Sequence, residues 1–389
     1  MAKRILIGLG ALLLVAAGLL YFVVPGQFEA AINIVEEHDP YEIAEETQAL
    51  HDRLIVADLH SDTLLWARNP LARGSTGHVD VPRLQEGNVA VQVFSVVTKA
   101  PEGQNYEANS ADSDQITLLT QVQLWPPRTW GSLFERAHYQ GERLLAAEES
   151  DPDALRVLRT ADDLDAILST RGNGSDIVGG LLATEGSHAL EGELDNIDVL
   201  YDLGYRMMGL HHFFDNRLGG SLHGLSQSGL TDFGKDAVRR MEERGIIVDV
   251  AHSSAASVRD VLAMTTRPFI VSHTGVKGAC HSRRNLEDDL MKQIAAKGGL
   301  IGIGYWEGAV CDHTPAGVVK SLRYAVDLVG VDHVALGSDY DGATSVRFDT
   351  SEIAVLTEEM RKAGFTETEI AKVMGGNVIR FLRDHLPQG

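Results

Sequence analysis

Eight short apolar runs, separated by segments with a helical pattern, are the feature that most restricts the fold of this 389-residue chain. Most runs are continuously apolar, which is typical of parallel strands covered on both faces. Helical patterns lie between them, for example over 232–244 and 254–264, and this alternation indicates βαβ units. Eight such units favour an α/β protein with a closed (β/α)8 (TIM) barrel over an open sheet. The predicted strands are 54–57, 90–97, 177–183, 205–210, 246–250, 268–271, 300–304 and 333–336.

The predicted barrel contains one long interruption and ends in a helix. Residues 98–176, after the second strand, show only helical and loop patterns, so we predict an insertion there. The sequence leaves open whether it forms a lid beside the active site or a plain surface insertion. Near the C-terminus, Thr366 and Glu369 have the spacing of a capping box, and a glycine pair at Gly375 interrupts the helical pattern before 378–385.

The N-terminus carries a different kind of segment. After Lys3 and Arg4, residues 5–24 contain no charged side chain, and a helix of this length spans roughly 30 Å, the thickness of the apolar core of a bilayer. We therefore predict a single-pass anchor over 1–28, with the body of the chain, 29–389, on the outer side of the cytoplasmic membrane. A cleaved signal peptide is the alternative, although no clear cleavage site follows the apolar run.

The composition excludes one class of partner and leaves one question open. The chain has 34 Lys and Arg against 55 Asp and Glu, a formal charge of −21. Such a charge opposes binding to nucleic acid or to an anionic surface. The two cysteines, Cys280 and Cys311, could pair in an oxidising compartment or remain separate thiols.

Acidic and histidine side chains follow six of the eight predicted strands. In the first of these, Asp58, His60 and Asp62 alternate, so they share one face of the strand. The other such residues are Glu185, His211, His212, Asp249, His252, His273, Asp339 and Asp341. The carboxyl ends of barrel strands meet at one rim, where enzymes of this architecture build their active sites. Clustered carboxylates would repel one another without a cation, so the rim predicts a metal centre.

The residue types narrow the choice of metal. Imidazole and carboxylate ligands suit zinc, and also manganese, cobalt or iron, whereas no cysteine falls at a strand end. Three histidines and two acidic groups exceed what a single catalytic zinc needs. We therefore expect two divalent ions, most simply Zn²⁺, that share one carboxylate and one hydroxide.

The motifs at the strand ends resemble those of the membrane dipeptidase (renal dipeptidase) family, peptidase family M19, of the amidohydrolase type. The resemblance covers residues 50–385. The family pattern D-x-H-x-D corresponds to Asp58–Asp62, T-x-E-G to Thr184–Gly186 and G-L-T-x-x-G to Gly229–Gly234. The pattern D-x-S-H corresponds to Asp249–His252, S-H-S to Ser272–Thr274 with the following R-N at Arg284-Asn285, and G-S-D-F-D-G to Gly337–Gly342. Leu59, Ala251 and Ser321 depart from residues that are usual in the family, but none of these changes removes a metal ligand.

The resemblance implies a binuclear zinc dipeptidase in which a metal-bridging hydroxide attacks the peptide bond. His60 and Asp62 would bind one zinc, His252 and His273 would bind the other, and Glu185 would bridge the two.

The resemblance also implies roles for residues that do not bind metal. Asp339 would orient or deprotonate the bridging water, unless it is a further ligand. His212 would contact the substrate and donate to the developing oxyanion, while its neighbour His211 would turn away. Arg284 and Asn285 would bind the carboxylate of the dipeptide, although without the resemblance Arg284 would be interpreted as a surface salt bridge.

Two other functions remain as alternatives at this point. The same metal chemistry could act on a lactone, an N-acyl amino acid or a β-lactam. A non-catalytic, membrane-attached metal-binding protein is the second alternative, but it would be expected to lack a ligand, and none is missing. The positions of Cys280 and Cys311 after neighbouring predicted strands favour a disulfide. The expected partners are a dipeptide substrate and the membrane, and homodimerisation is left open.

Overall fold

The computed structural model describes residues 23–389 together with Arg4, Leu6, Gly18 and Tyr21. The apolar run over 5–24 of the anchor predicted at 1–28 therefore lies almost wholly outside the described residues. In the part that is described, none of the helices has the length and apolar character needed to span a bilayer.

The described residues form eleven strands. They are β1 (Ile34–Val35), β2 (Val56–Ser61), β3 (Val89–Val97), β4 (Leu155–Val157), β5 (Val178–Glu185), β6 (Tyr205–Gly209), β7 (Ile247–Asp249), β8 (Ile270–Thr274), β9 (Leu300–Ile303), β10 (Val334–Leu336) and β11 (Ser345–Val346). All except β1, β4 and β11 form a closed parallel barrel, in which β10 pairs with β2 and β3 pairs with β5. The predicted (β/α)8 barrel is confirmed.

Most predicted strands match an observed strand to within three residues at each end, and two larger differences have a physical reason. The first strand does not stop at Ala57 but continues as β2 to Ser61, and every residue of β2 is buried. The C-terminal end of β2 is polar, so a search for apolar runs does not include it, although its residues are buried at the rim of the barrel. The interpretation of 98–176 as helix and loop alone is wrong at β4, which pairs in parallel with β5 outside the barrel and is too short for a periodic pattern.

Helices cover the outside of the barrel. The longer ones are Val24–Ile32, Leu133–Ser150, Ala161–Gly172, Asp195–Leu203, Asp232–Arg244, Ala255–Met264, Asp288–Ala296, Pro315–Val329, Ala354–Lys362 and Asn377–His385, and the shorter ones are Glu45–His51, Val81–Glu86, Ile116–Val122, Glu307–Val310 and Glu367–Ala371. Several begin at a hydroxyl side chain that accepts a hydrogen bond from the third residue of the helix, as Thr231 and Ser254 do. Such caps satisfy backbone donors that the helix itself leaves free.

The C-terminal helices pack against the barrel strands. Thr366 and Glu369 form the predicted capping box. The chain then passes through a wider turn in which a Cβ on Gly375 would lie 2.0 Å from the carbonyl oxygen of Ile55, so only glycine allows this approach. The last helix buries Phe381 and Leu382 in a cluster that includes residues of the barrel strands.

Two segments outside the regular βα units reach the rim formed by the strand ends. The first is the helix Val24–Ile32 with β1, since β1 pairs with β11 in the loop after β10. The second is the predicted insertion, whose helix Ile116–Val122 packs with Leu65 and Trp66 after β2. Both segments therefore lie beside the site at which the polar strand ends meet.

Candidate metal centre

Glu185, the last residue of β5, lies at the centre of the rim. Its Oε1 atom is 3.1 Å from Nε2 of His252, 3.3 Å from Nε2 of His273 and 3.6 Å from Nε2 of His60. Its Oε2 atom is 3.4 Å from Nε2 of His212. All five side chains are buried. The folding of the barrel thus gathers residues more than two hundred positions apart around one carboxylate.

The potential ligand atoms form two groups. Those of His60, Glu185, His273 and Asp339 lie within 4.8 Å of one another, and those of Glu185, His212 and His252 meet the same limit. Glu185 alone belongs to both groups, which is the position expected of a carboxylate that bridges two ions.

Asp62 lies beside the first group. Its Oδ1 atom is 3.5 Å from Nε2 of His60. Neither atom has a hydrogen-bond partner in the described part of the chain, although both are buried. Since buried polar atoms are rarely left without a partner, these two fit a site that binds a cation.

The electrostatics of the protein without metal are unfavourable for the charged forms of these groups. Burial, followed by repulsion from a neighbouring carboxylate, raises the pKa of Glu185 and of Asp62 well above the ordinary range. Burial also raises the pKa of Asp339 to about 7. It lowers the pKa of His252 and His273 well below the usual value, so both rings are neutral. Neutral imidazoles beside carboxylates that resist ionisation are the donor set that a divalent cation stabilises.

Residues behind the cluster orient the ligands. The hydroxyl of Ser272 donates to Oδ2 of Asp249 at 2.6 Å, so it accepts from Nδ1 of His273 at 2.8 Å. This arrangement leaves the lone pair of Nε2 on His273 facing Glu185. His252 and Asp339 have φ angles of 59° and 61°. This strained, left-handed backbone in non-glycine residues is common where a site demands a particular side-chain direction.

Asp58, the first residue of the D-x-H-x-D motif, does not join either group of potential ligands. Its carboxylate accepts hydrogen bonds from the amide of His60 and from the amide and hydroxyl of Ser338, which follows β10. It therefore fastens β2 to the neighbouring strand end. His211 also lies outside both groups, with Nδ1 2.9 Å from the hydroxyl of Ser253.

A cavity of about 690 Å³ opens above the cluster. Arg284 lines it and is 1% exposed; its Nη2 atom donates to the carbonyl oxygen of His273 at 3.0 Å. None of the ion pairs among the described residues includes Arg284, so it is not a surface salt bridge. Asn285 does not line this cavity, because its amide donates to the carbonyl oxygens of Cys280 and Ala309.

A disulfide joins two loops beside Arg284. Cys280 and Cys311 are bonded, with their Cα atoms 5.5 Å apart. The bond and the Asn285 amide both link the loop after β8 to the loop after β9.

The sequence reasoning missed residues that line the cavity or lie close to it. His223 is buried; its ring stacks on Phe213 at 4.9 Å and lies 5.6 Å from the ring of His252. Its presence in the same loop as His212 was the available signal. Tyr106, in the predicted insertion, accepts a hydrogen bond from Nε1 of Trp306 and lines the cavity. The insertion is therefore part of the rim and not a plain surface feature.

Comparisons with known proteins agree with this architecture. A model of the membrane dipeptidase family, peptidase family M19, matches residues 44–386. A relative from Aspergillus oryzae, described as "Dipeptidase aclJ", is 27% identical over 362 residues, which cover 85% of this chain and 78% of the relative.

Solved structures share the fold. A metallo peptidase from Rhodobacter sphaeroides, liganded with a phosphinate mimic of the dipeptide L-Ala-D-Ala, superposes with a TM-score of 0.71 at 24% identity, over 86% of this chain and 99% of that one. The probable dipeptidase PvdM from Pseudomonas aeruginosa gives a TM-score of 0.73 at 20% identity, over 88% and 98% of the two chains.

Proposed function

The chain belongs to the membrane dipeptidase family, peptidase family M19, a family of metal-dependent hydrolases, and on this premise we propose that it is a binuclear zinc dipeptidase. The observation that carries the proposal is the convergence of three histidines on Glu185, with Asp62 beside His60, in a cavity lined by a buried arginine that forms no ion pair among the described residues. This arrangement supports both the metal chemistry and the recognition of a small substrate with a carboxylate.

We assign His60 and Asp62 to one zinc, His252 and His273 to the other, and Glu185 to both. Two ligands of one tetrahedral zinc lie about 3.3 Å apart. The corresponding separations are 3.5 Å between Nε2 of His60 and Oδ1 of Asp62, and 2.9 Å between the Nε2 atoms of His252 and His273. These distances support the assignment. His273 also lies near His60, so the main alternative assigns His273 to the same ion as His60.

The two ions, when bound, lower the pKa of a shared water and polarise the scissile carbonyl. Asp339, with Oδ1 3.8 Å from Nε2 of His60, takes the proton of the nucleophile and passes it to the leaving amine. A further ligand without a base role is the alternative for Asp339.

His212 contacts the substrate as a hydrogen-bond acceptor in this proposal. Its Nδ1 atom lies 3.1 Å from the carbonyl oxygen of Lys99, so Nδ1 carries the proton and Nε2 faces Glu185 with a lone pair. Burial lowers the pKa of His212 to about 3, which keeps the ring neutral. A neutral ring in this tautomer cannot donate to an oxyanion, so the geometry favours the amine of the substrate as its partner over the oxyanion that the sequence suggests.

Arg284 binds the terminal carboxylate of the dipeptide. It is buried, it lies within the cavity, and its Nη2 atom is 3.3 Å from Nε2 of His252. A guanidinium group in this position favours very short peptides, because the carboxylate must lie close to the scissile bond. A lactone, an N-acyl amino acid or a β-lactam remains the alternative substrate class, and a substrate panel separates these from dipeptides.

The test combines metal content with hydrolysis. We expect about two zinc ions per chain and hydrolysis of L,L or L,D dipeptides by the full chain. Glu185→Gln should lose zinc and at least about 100-fold in kcat/KM, because it removes the shared ligand. Glu193→Gln is the matched control, since Glu193 is exposed in the loop after the same strand. Full metal content and full activity in Glu185→Gln would overturn the assignment.

We further propose that residues 1–28 anchor a catalytic domain, residues 29–389 with its insertion at 98–176, on the outer side of the cytoplasmic membrane. The apolar run over 5–24 and the disulfide support this topology, since disulfides persist in oxidising compartments. Protease added to intact cells should degrade the domain, and the protein should remain with the membrane after washing. Recovery in the cytoplasmic fraction with two free thiols would contradict it.

A further inference from the structure

The helix Val24–Ile32 precedes the region that the family model matches, which begins at residue 44. It nevertheless contributes to the wall of the cavity that contains the metal centre. Phe28 and Ile32 both line this cavity. Residues that precede the matched region therefore help to line the cavity of the candidate site.

The helix is fastened to the rim by polar contacts. Glu29 is buried and forms an ion pair with Arg68, and Nη2 of Arg68 donates to Asp341 at 2.6 Å. The amide of Ala343 donates to the side chain of Asn33 at 2.8 Å, and β1 pairs with β11. These contacts hold the helix against the loop that carries Asp339, so Phe28 and Ile32 have fixed positions.

The surface around these two side chains is apolar. The ring of Phe28 lies 6.3 Å from that of Trp66. Ile32 packs against a buried cluster formed by Leu65, Trp66, Val97, Ala100, Ile116, Leu119 and Trp125. Phe28 remains 46% exposed, so it still has apolar surface to bury against a ligand.

The apolar wall and Arg284 adjoin different potential ligands of the metal centre. The wall adjoins Leu65 and Trp66, which closely follow the ligands His60 and Asp62 in the chain. Arg284 contacts His252 and the backbone of His273 instead. If Arg284 binds the carboxylate of the second residue of a dipeptide, the first residue extends toward the apolar wall.

We propose that Phe28 and Ile32 are specificity-determining residues that form an apolar subsite for the side chain of the N-terminal residue of the dipeptide. The inference rests on the proposed dipeptidase function. It implies a preference for dipeptides such as Phe-Gly and Leu-Gly over Gly-Gly, whereas Gly-Phe gains little from the same subsite.

The experiment compares Phe28→Ala and Ile32→Ala in the full chain with zinc bound. We expect kcat/KM for Phe-Gly and Leu-Gly to fall by roughly tenfold, mainly through KM, while Gly-Gly and Gly-Phe change little. Phe28→Leu should retain most of the preference, because it keeps an apolar side chain. Val24→Ala is the control, since Val24 is exposed on the same helix and does not line the cavity. Zinc content and the thermal midpoint should remain unchanged, which separates a lost subsite from a displaced helix.

Three outcomes contradict the inference. An unchanged ratio of Phe-Gly to Gly-Gly hydrolysis in both alanine variants removes the subsite, and an equal loss on Gly-Phe assigns the wall to the other residue of the dipeptide. Either result leaves the dipeptidase function intact. A zinc-loaded wild-type chain that hydrolyses no dipeptide ends the proposed function and this inference together.

Discussion

Asp58 and Asp62 lie four residues apart at one strand end, yet their carboxylates have different surroundings. The carboxylate oxygens of Asp58 accept hydrogen bonds from Ser338 and from the backbone of His60, whereas Oδ1 of Asp62 has no hydrogen-bond partner among the described residues. The alternation of the motif predicts that both point inward, but it cannot assign their roles, because the difference depends on residues that follow a strand almost 280 positions away.

The two aspartates should therefore respond in opposite directions when they are replaced. In chelator, Asp58→Asn should lower the free energy of unfolding by roughly 1–3 kcal/mol, since an amide NH2 replaces one of the two oxygens that accept buried hydrogen bonds. Asp62→Asn should leave the stability of the metal-free protein unchanged or raise it, because burial makes the charge of Asp62 unfavourable there. With zinc present, Asp62→Asn should bind less metal. Denaturant unfolding with and without chelator measures both effects, and equal losses in chelator would show that Asp62 has a structural role.

Glu29 gives a prediction of pH dependence that is separate from the metal ligands. Burial raises the pKa of Glu29 from 4.5 to about 7. The folded state then binds a proton more tightly than the unfolded state, so the stabilisation is full below pH 4.5 and is lost as the pH rises through 7.

Glu29→Gln should therefore flatten the decline in unfolding free energy between pH 5 and pH 7.5. Denaturant titrations at several pH values measure the slope, and Glu37→Gln, a change at a nearby exposed residue, is the control. An identical slope in wild type and Glu29→Gln would mean that Arg68 keeps the carboxylate charged throughout this range.

At the scale of the elements, the barrel could be predicted because its information is local. Most of the eight barrel strands contain a continuous apolar run, and the helix Asp232–Arg244 follows its pattern from end to end. The candidate metal centre could be predicted in outline for the same reason, since the potential ligands lie at or just after the carboxyl ends of strands, and parallel strands end at one rim.

The elements that border the cavity could not be predicted in this way. The helix Val24–Ile32 is held through Arg68, which contacts Glu29 39 residues away and Asp341 273 residues away. No local pattern encodes such pairs. The same is true of Tyr106, whose place in the cavity depends on Trp306 in a distant loop. The proposed specificity thus resides in the part of the site that sequence patterns describe least.

The disulfide gives a prediction about two loops. Cys280 and Cys311 are 31 residues apart, and a cross-link of that span stabilises the folded state by roughly 3–4 kcal/mol through the entropy of the unfolded chain. The double replacement Cys280→Ser, Cys311→Ser should lose about this amount. Asn285 still joins the same loops, so kcat should change less than stability. Unfolding and kinetics of the variant, beside wild type with and without reductant, measure both quantities. A loss of activity without a loss of stability would indicate that the bond positions Arg284 directly.

At the scale of the whole molecule, the barrel, the insertion and the N-terminal helix surround one set of buried acidic groups in a chain of net charge −21. Without metal, Glu185, Asp62 and Asp339 all have a raised pKa. The metal-free protein should therefore lose stability as the pH rises through about 7, the value for Asp339. Bound zinc reverses the preference, because it favours the ionised carboxylates and competes with protons for them.

The stabilisation by zinc should consequently grow with pH. Thermal unfolding in chelator and in excess zinc, at steps between pH 5.5 and 8, should give midpoints that diverge as the pH rises. Free zinc at one hundred times its dissociation constant adds about 2.7 kcal/mol, which is enough to shift the midpoint by several degrees. Glu185→Gln should show a smaller divergence, because the ligand common to both groups is lost, and Glu193→Gln should match wild type. An unfolding midpoint that chelator leaves unchanged at every pH would mean that protonation alone stabilises the buried carboxylates. That result would contradict the proposed metal centre.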